Sequence, residues 1–280
     1  HQSPACPGVA YRILGAGSAY STHETIGSNS RTAHWAMQTQ RFDLIVVGAG
    51  LAGASLAVAL GGSRLSVALI EARSPQRSPD WDARIYAVSP ANVGFLSELG
   101  LWQRLDHERI CPVHDMEIYG DRGARLDFSA YGAGVSELAR IVESSAMQCE
   151  LWDTANRLPN LSAFCPAHPQ ALALDADAVR LSLSDGRQIE ASLVVAADGA
   201  NSWVRSAAGI DAQFTPYGES GVVANFRISG AHANKAYQWF RPDGVLALLP
   251  LPGNLISMVW STPDEHAGEL VALDAKQLCE

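Results

Sequence analysis

The chain has 280 residues, of which 48% are hydrophobic and 18% charged, and its formal net charge is −9. This composition is typical of a globular protein, and the negative charge argues against binding nucleic acid or docking electrostatically on an anionic membrane. The five cysteines are dispersed without a CxxC pair. That pattern indicates reduced thiols in a cytoplasmic protein and argues against a disulfide framework or a zinc site.

Residues 1–36 are rich in Ser, Thr, Gly and Ala and show no helical or strand period. They also lack the charged and apolar regions of a signal peptide. We interpret residues 1–40 as an N-terminal extension, predicted to be disordered, with Met37 as the natural start of the protein. The alternative is a disordered native tail.

The stretch FDLIVVGAGLAGASLAVALGG, from Phe42 to Gly62, is the most informative part of the chain. Twenty uncharged residues lie between Asp43 and Arg64, which is enough for a helix to cross a bilayer. A membrane span, however, would need one continuous helix through three glycines, and the stretch lacks aromatic anchors and a basic bias in its flanks. The competing hypothesis is a strand, a tight turn and a helix that bind a nucleotide.

The pattern around the turn favours the nucleotide. Asp43–Val47 is short, apolar and β-branched, which is typical of a strand buried on both faces of a parallel sheet. Three glycines follow at the spacing of a dinucleotide fingerprint and precede an alanine-rich helix: Gly48, Gly50 and Gly53. They permit the tight turn, the approach of a pyrophosphate, and close packing of helix on strand, in that order. A second strand, Leu65–Ile70, ends at Glu71, which is predicted to bind a ribose; a solvated acid is the alternative.

The middle and end of the chain are rich in predicted strands. Met116–Tyr119 and Arg125–Phe128 flank a glycine-rich turn and are predicted to form a hairpin. A meander of alternating strands follows over Leu172–Ala196, with a hairpin turn at Asp185-Gly186. Residues 221–261 alternate in the same way and predict a second β-rich region.

The segment SLVVAADGANSWVRSAAGI, residues 192–210, combines an apolar strand, the pair Asp198-Gly199, and a helix that carries Ser202 and Arg205. An Asp-Gly pair alone is a common turn, and an arginine on a helix often pairs locally. The whole arrangement, however, resembles the second FAD motif of the flavin-dependent aromatic hydroxylases. In that family the aspartate lies near the pyrophosphate and ribose of the cofactor.

Within that family, the chain most resembles the ubiquinone-biosynthesis hydroxylases. The resemblance runs in collinear order over about residues 40–262. Four further stretches carry it: DARIYAVSPANVGFLSELGLW at Asp82–Trp102, IVESSAMQCELWD at Ile141–Asp153, NLSAFCPA at Asn160–Ala167, and QWFRPDGVLALLPLPGNLISMVWS at Gln238–Ser261. In the first of these, Arg84 matches the flavin-contacting arginine of the family; a surface arginine is the alternative.

The resemblance implies an α/β fold with a Rossmann-like FAD-binding domain of the glutathione-reductase type and an inserted β-rich substrate domain. Residues 41–112 and 141–212 would form the FAD-binding domain, and residues 113–140 and 213–280 the substrate domain. The implied cofactor-binding residues are Gly48, Gly50, Gly53, Glu71, Arg84, Asp198 and Gly199. No catalytic residue is assigned, and the eight histidines show no metal-binding spacing.

The implied reaction is hydroxylation of an aromatic ring with NAD(P)H and O₂, on a polyprenylated phenol or quinol intermediate of ubiquinone synthesis. The implied location is the cytoplasm, with peripheral contact at the inner membrane and with partners in a ubiquinone-biosynthesis complex. One competing enzyme function is a flavin monooxygenase for a soluble aromatic compound. A weaker alternative is an NAD-dependent dehydrogenase. A flavin disulfide reductase is disfavoured, because the chain lacks a second nucleotide fingerprint and a CxxxxC or CxxC pair.

Two features depart from the family pattern. Ser144 follows Glu143 where the family usually has an asparagine, so no flavin contact is assigned there. In addition, residues 259–280 contain no third FAD motif, which is a Gly-Asp pair followed by a Pro- and Gly-rich helix start. We therefore expect a C-terminally truncated enzyme, and the alternative function is a non-catalytic remnant that does not retain FAD.

Overall fold

The structure is a computed structural model that describes residues 11–14 and 39–279. Most of the predicted N-terminal extension, including Met37, lies outside the described residues. Within that extension, Tyr11–Leu14 form a strand although the sequence there shows no strand period. The strand pairs antiparallel with Gly221–Ala224, so backbone pairing with a distant strand gives this segment its conformation.

The elements described here are numbered in chain order. The strands are β1 (Tyr11–Leu14), β2 (Gln40–Val47), β3 (Val67–Ile70), β4 (Ile85–Val88), β5 (Cys111–Val113), β6 (Asp115–Tyr119), β7 (Arg125–Ser129), β8 (Ala139–Glu143), β9 (Leu161–Phe164), β10 (Pro169–Leu174), β11 (Val179–Leu183), β12 (Gln188–Ala196), β13 (Glu219–Arg227), β14 (Lys235–Arg241), β15 (Gly244–Leu251) and β16 (Leu255–Pro263). The helices are α1 (Leu51–Ala59), α2 (Pro90–Glu98), α3 (Ala130–Ala133), α4 (Ser144–Ala155), α5 (Trp203–Ala207) and α6 (Asp264–Ala272).

The chain divides into two compact units. Unit 1 contains β1 together with Gln76–Glu150 and the segment that starts at Phe214. Unit 2 contains the described part of Ala16–Pro75 together with Leu151–Gln213. The predicted limits of an FAD-binding domain and a substrate domain stay a prediction.

Unit 2 is built on a six-stranded sheet with the order β10-β11-β12-β2-β3-β9. The four strands from β12 to β9 run parallel, and β10, β11 and β12 form the predicted antiparallel meander. The last four residues of β2 are all buried, as expected for a strand covered on both faces. Around them lies an apolar core formed by Ile45, Val47, Ala68, Ile70, Phe164, Ala167, Leu181, Leu183, Ile189, Ala191 and Val204.

The stretch from Phe42 to Gly62 folds as β2, a tight turn and α1. The buried residues of α1 are Gly53, Ala54, Ala57 and Val58, and their small size lets the helix pack closely on the sheet. Over the described residues, no helix combines the length and apolar character needed to cross a membrane. The prediction of a strand, a tight turn and a helix in this stretch is therefore confirmed.

Strand β3 begins at Val67, two residues later than the predicted start at Leu65. The reason is a local side-chain contact. The backbone N–H of Ser66 donates to the Asp43 carboxylate over 2.7 Å, and the Ser66 hydroxyl donates to the same oxygen over 2.8 Å. The N–H of Ser66 is thus satisfied by a side chain, while its carbonyl still accepts from the N–H groups of Asp43 and Leu44 over 3.0 and 3.2 Å. Regular pairing with β2 therefore begins at Val67.

Unit 1 contains a seven-stranded sheet with the order β1-β13-β16-β15-β14-β6-β7 and a three-stranded sheet with the order β4-β8-β5. Strands β6 and β7 form the predicted hairpin, and β6 pairs parallel with β14. The predicted strands on either side of unit 2 in the sequence thus belong to one sheet. Helix α6 packs on this sheet through Ala267 and Leu270, which contact Val222, Ala224 and Met258.

Candidate dinucleotide site

Three parallel strands of unit 2 end level with one another. Val47 in β2 pairs with Ala196 in β12 on one side and with Ile70 in β3 on the other. The residues that follow these strands therefore meet at one edge of the sheet. From β2 the chain turns through α1 to β3, while β12 comes from later in the sequence. In open α/β sheets, ligands bind at this kind of edge, where the strand order changes direction.

The turn after β2 leaves no room for side chains at two of its glycines. Gly48 has a φ of +100°, and a Cβ there would lie 2.3 Å from the carbonyl oxygen of Ala197. A Cβ on Gly53 would lie 2.0 Å from the carbonyl oxygen of Gly48. The start of α1 therefore packs directly on the turn, and the turn packs directly on the end of β12.

Gly50 differs from these two glycines. It precedes the first residue of α1, and a Cβ placed on it would meet no atom within 4 Å among the described residues. In the described structure no side chain caps this helix end, and its first turn carries no acidic residue. The N–H groups at a helix start favour an anion, so this open backbone fits the pyrophosphate of a dinucleotide.

Glu71 lies beside the same turn. Its Oε2 accepts a 2.6 Å hydrogen bond from the backbone N–H of Ala49, and its Oε1 accepts one of 3.1 Å from the N–H of Arg73. Burial, and then the charge of Glu71, raise the pKa of the neighbouring Cys165 thiol above its ordinary value. The carboxylate is thus held at the mouth of the turn, and its contact with a ribose stays a prediction.

Asp198 organises the start of α5. One of its carboxylate oxygens accepts a hydrogen bond from the Ser202 hydroxyl, and the other accepts one of 3.1 Å from the N–H of Val204. The Ser202 oxygen in turn accepts from the N–H of Arg205 over 3.0 Å, and the Arg205 guanidinium donates to the carbonyl of Ala200 over 2.8 Å. The Asp, Ser and Arg of this motif therefore fix the loop through Gly199, with Ser202 as the N-cap of α5. The local pairing of Arg205 was an alternative in the sequence, whereas the contact of Asp198 with Ser202 was not predicted.

Replacing Asp198 by alanine is expected to lower the free energy of unfolding by about 1–2 kcal/mol, because the Ser202 hydroxyl and the N–H of Val204 lose their common acceptor at the start of α5. Urea denaturation followed by circular dichroism measures this change. Asp211→Ala is the matched control, since Asp211 is an exposed acid of the same unit. It should stay within about 0.5 kcal/mol of the wild type. An unchanged urea midpoint for Asp198→Ala would contradict the role of Asp198 in holding the start of α5.

Arg84 belongs to unit 1, whereas the other predicted cofactor-binding residues belong to unit 2. Its backbone N–H donates to the Asp82 carboxylate over 3.0 Å, and its carbonyl accepts from the N–H of Ser144 over 2.9 Å. Within the described ranges, its guanidinium has no hydrogen-bond or ion-pair partner. Over the same ranges, no cluster of His, Cys, Asp and Glu could hold a metal ion.

Several curated proteins resemble this chain over most of its length. "Ubiquinone hydroxylase UbiL" of Rhodospirillum rubrum is 34% identical over 84% of this chain and 55% of its own length. "3-demethoxyubiquinol 3-hydroxylase" of Escherichia coli is 31% identical, with coverages of 86% and 63%. The mitochondrial "Ubiquinone biosynthesis monooxygenase COQ6" of Mus musculus is 32% identical, with coverages of 85% and 54%. The chain thus spans somewhat more than half the length of these relatives.

Solved structures share the fold. PqsL of P. aeruginosa in complex with 2-aminobenzoylacetate aligns with a TM-score of 0.71 and 23% identity, over 83% of this chain and 64% of PqsL. The flavin-dependent monooxygenase PieE in complex with FAD and substrate aligns with a TM-score of 0.64 and 18% identity, over 80% of this chain and 43% of PieE. These likenesses confirm the predicted α/β, Rossmann-like fold class.

A family model described as "FAD binding domain" matches residues 41–272, which is most of the chain. The match includes the turn at Gly48–Gly53, the acid at Glu71 and the loop that starts at Asp198. The observed geometry agrees with it, because an open helix start lies between two tightly packed glycines at the edge of a parallel sheet. The chain therefore belongs to the FAD binding domain family, and FAD is its cofactor.

Proposed function

We propose that this chain is part of an FAD-dependent monooxygenase that hydroxylates an aromatic ring of a ubiquinone-biosynthesis intermediate, with NAD(P)H as electron donor. The observation that carries the proposal is the similarity to several ubiquinone hydroxylases over 84–86% of the chain. The substrate is then a polyprenylated phenol or quinol. Because such a substrate lies in the membrane, the protein would contact the inner membrane peripherally from the cytoplasmic side. It would also bind partner proteins of a ubiquinone-biosynthesis complex.

The residues of this chain bind and orient the cofactor. The N–H groups at the start of α1, next to Gly50, receive the pyrophosphate, and the Glu71 carboxylate accepts hydrogen bonds from the ribose. Asp198 holds the loop through Gly199 in place beside the turn. The Arg84 guanidinium, which has no partner within the part of the chain that the structure describes, would supply a positive charge for the flavin. When bound, FAD reduced by NAD(P)H supplies the oxygen-activating chemistry, and the protein supplies orientation and exclusion of water.

The first test is the visible absorption spectrum of the purified 280-residue protein, with chromatographic identification of any cofactor released on denaturation. A bound flavin identified as FAD supports the proposal. A colourless protein that takes up no added FAD contradicts it and favours a non-catalytic remnant. Exclusive binding of NAD would instead favour a dehydrogenase.

The second test compares substrates on the FAD-loaded protein. Incubation with NADH or NADPH, O₂ and 3-demethoxyubiquinol bearing a short prenyl tail should give a product with one added oxygen atom, detected by mass spectrometry. The matched control is p-nitrophenol, a soluble phenol without a tail. Turnover of p-nitrophenol without turnover of the quinol would replace the proposed substrate by a soluble aromatic compound.

A further inference from the structure

The segment Asp80–Arg84 of unit 1 lies outside every helix and strand, yet protein contacts hold almost every residue of it. The backbone carbonyl of Asp80 accepts a 3.1 Å hydrogen bond from Arg109. The Trp81 ring lies 4.3 Å from the Arg109 guanidinium, within range of a cation–π contact. An irregular segment held this firmly is expected where one of its side chains must be presented in a fixed position.

Glu143 is the centre of these contacts. Its side chain is only 3% exposed, and its two carboxylate oxygens accept hydrogen bonds of 2.7 and 2.8 Å from Arg109. The same carboxylate accepts a 2.6 Å hydrogen bond from the backbone N–H of Asp82. Glu143 thus joins the end of β8, the Arg109 side chain and the irregular segment at one point.

Asp82 carries the connection on to Arg84. One Asp82 carboxylate oxygen accepts from the N–H of Arg84 over 3.0 Å, and the other accepts from the N–H of Ser145 over 3.0 Å. Its carbonyl accepts a 3.2 Å hydrogen bond from the Asn225 side chain. The backbone on both sides of the Arg84 side chain is therefore fixed by polar contacts from three elements: β8, α4 and β13.

The Glu143 carboxylate is buried, whereas the Arg109 side chain is 36% exposed. An ion pair of this kind contributes little net stability, because the loss of hydration offsets much of the attraction between the charges. A two-pronged guanidinium–carboxylate contact does, however, specify geometry. In this segment the contact fixes the backbone that carries Arg84. The Arg84 guanidinium itself has no partner among the described residues. Glu143 and Arg109 thus hold the segment that carries Arg84, and the Arg84 side chain is left available to bind a ligand.

We propose that Glu143, through Arg109 and Asp82, is a positioning residue that holds Arg84 in the orientation required to bind FAD. This inference rests on the proposed function, in which Arg84 contacts the cofactor. Glu143 itself touches no cofactor in the proposal, and it acts only through the segment that it holds. The proposal assigns a role to the Ile141–Asp153 stretch, for which the sequence analysis assigned no contact.

The test is a double-mutant cycle on the dissociation constant of FAD, measured by fluorescence titration of the full chain. Arg84→Ala and Glu143→Gln are each expected to weaken FAD binding by roughly tenfold. The double variant should bind FAD no more weakly than Arg84→Ala alone, because the support has no effect once its target is absent. Effects that multiply in the double variant, or an unchanged affinity in Glu143→Gln, would overturn the proposal.

Glu137→Gln is the matched control. Glu137 is also buried in unit 1, and it pairs with Arg140 over 2.7 Å without contacting the Asp80–Arg84 segment. Its replacement should leave FAD affinity unchanged. If Glu143→Gln does not fold, Arg109→Lys takes its place in the cycle, because lysine keeps the charge but cannot form the two-pronged contact.

Hydrogen exchange of the cofactor-free protein separates this proposal from the proposed function. The amides of Asp82 and Arg84 should exchange faster in Glu143→Gln than in the wild type, and no faster in Glu137→Gln. A wild-type chain that binds no FAD contradicts the proposed function and, with it, the role of Arg84. Unchanged exchange in Glu143→Gln contradicts the support itself, whatever the chain binds.

Discussion

Gly50→Ala is expected to weaken FAD binding by roughly 10- to 100-fold while leaving the cofactor-free protein nearly as stable as the wild type. Gly50 has a φ of −64° and a ψ of 178°, which alanine adopts without strain, and a Cβ there meets no atom of the described residues within 4 Å. The added methyl group would occupy the space through which the pyrophosphate approaches the backbone. Forced overlap of this size costs about 1–3 kcal/mol, and each 1.4 kcal/mol corresponds to about a tenfold change in affinity.

Two measurements decide this prediction: the dissociation constant of FAD by fluorescence titration, and the free energy of unfolding in urea. The stability should change by less than about 1 kcal/mol, since glycine is only a moderate N-cap. Gly62→Ala is the matched control, because a Cβ there also meets open space and the residue lies beyond the other end of α1. Equal FAD affinities for Gly50→Ala and the wild type would place the pyrophosphate elsewhere.

The turn could be predicted from the sequence because its determinants are local. A buried strand, three glycines and a helix of small residues follow one another within Phe42–Gly62, and each has one obvious structural consequence. The three glycines, the β-branched start and the lack of aromatic anchors together favour a strand and a helix over a membrane span. Glu71 is less local, but its place directly after a strand puts it level with the end of β2.

The support around Arg84 could not be predicted in this way. Glu143 and Arg109 are 34 positions apart, and Glu143 and Asp82 are 61 apart. Neither separation matches a period of a helix, a strand or a hairpin. The pairing depends on how β8 and the irregular segment pack, which only tertiary structure determines. The same limit applies to β1, whose conformation comes from its partner strand β13.

Asp198 shows an intermediate case. The resemblance places it in a cofactor-binding motif, which stays a prediction, and the described contacts of its carboxylate are with Ser202 and Val204. Ser202, directly before α5, has the ordinary pattern of an N-cap, so its role was visible in the residues themselves. Asp198 lies four residues earlier and acts by accepting from the Ser202 hydroxyl, which the sequence alone did not indicate. Resemblance to a family indicates which residues belong to a motif, whereas the hydrogen bonds in the structure show which groups each residue contacts.

Gly53→Ala, in contrast to Gly50→Ala, is expected to lower the free energy of unfolding by about 3 kcal/mol, measured in urea without cofactor. On helix propensity alone, alanine at this position would stabilise α1 by about 0.5–1 kcal/mol. Steric overlap outweighs this gain and makes the variant less stable, because a Cβ on Gly53 would lie 2.0 Å from the Gly48 carbonyl oxygen and 2.9 Å from the Ala197 Cβ. The first of these atoms belongs to the backbone, so the helix itself must move.

The comparison of the two variants tests the architecture of the turn without any assumption about the substrate. Both replace a glycine by alanine, three positions apart, at the same helix start. If the helix packs on the turn as observed, Gly53→Ala shifts the urea midpoint strongly and Gly50→Ala does not. A stable Gly53→Ala protein would mean that α1 lies farther from Gly48 than the structure shows. The space beside Gly50 would then result from loose packing of α1, and the observed geometry would no longer support a pyrophosphate site there.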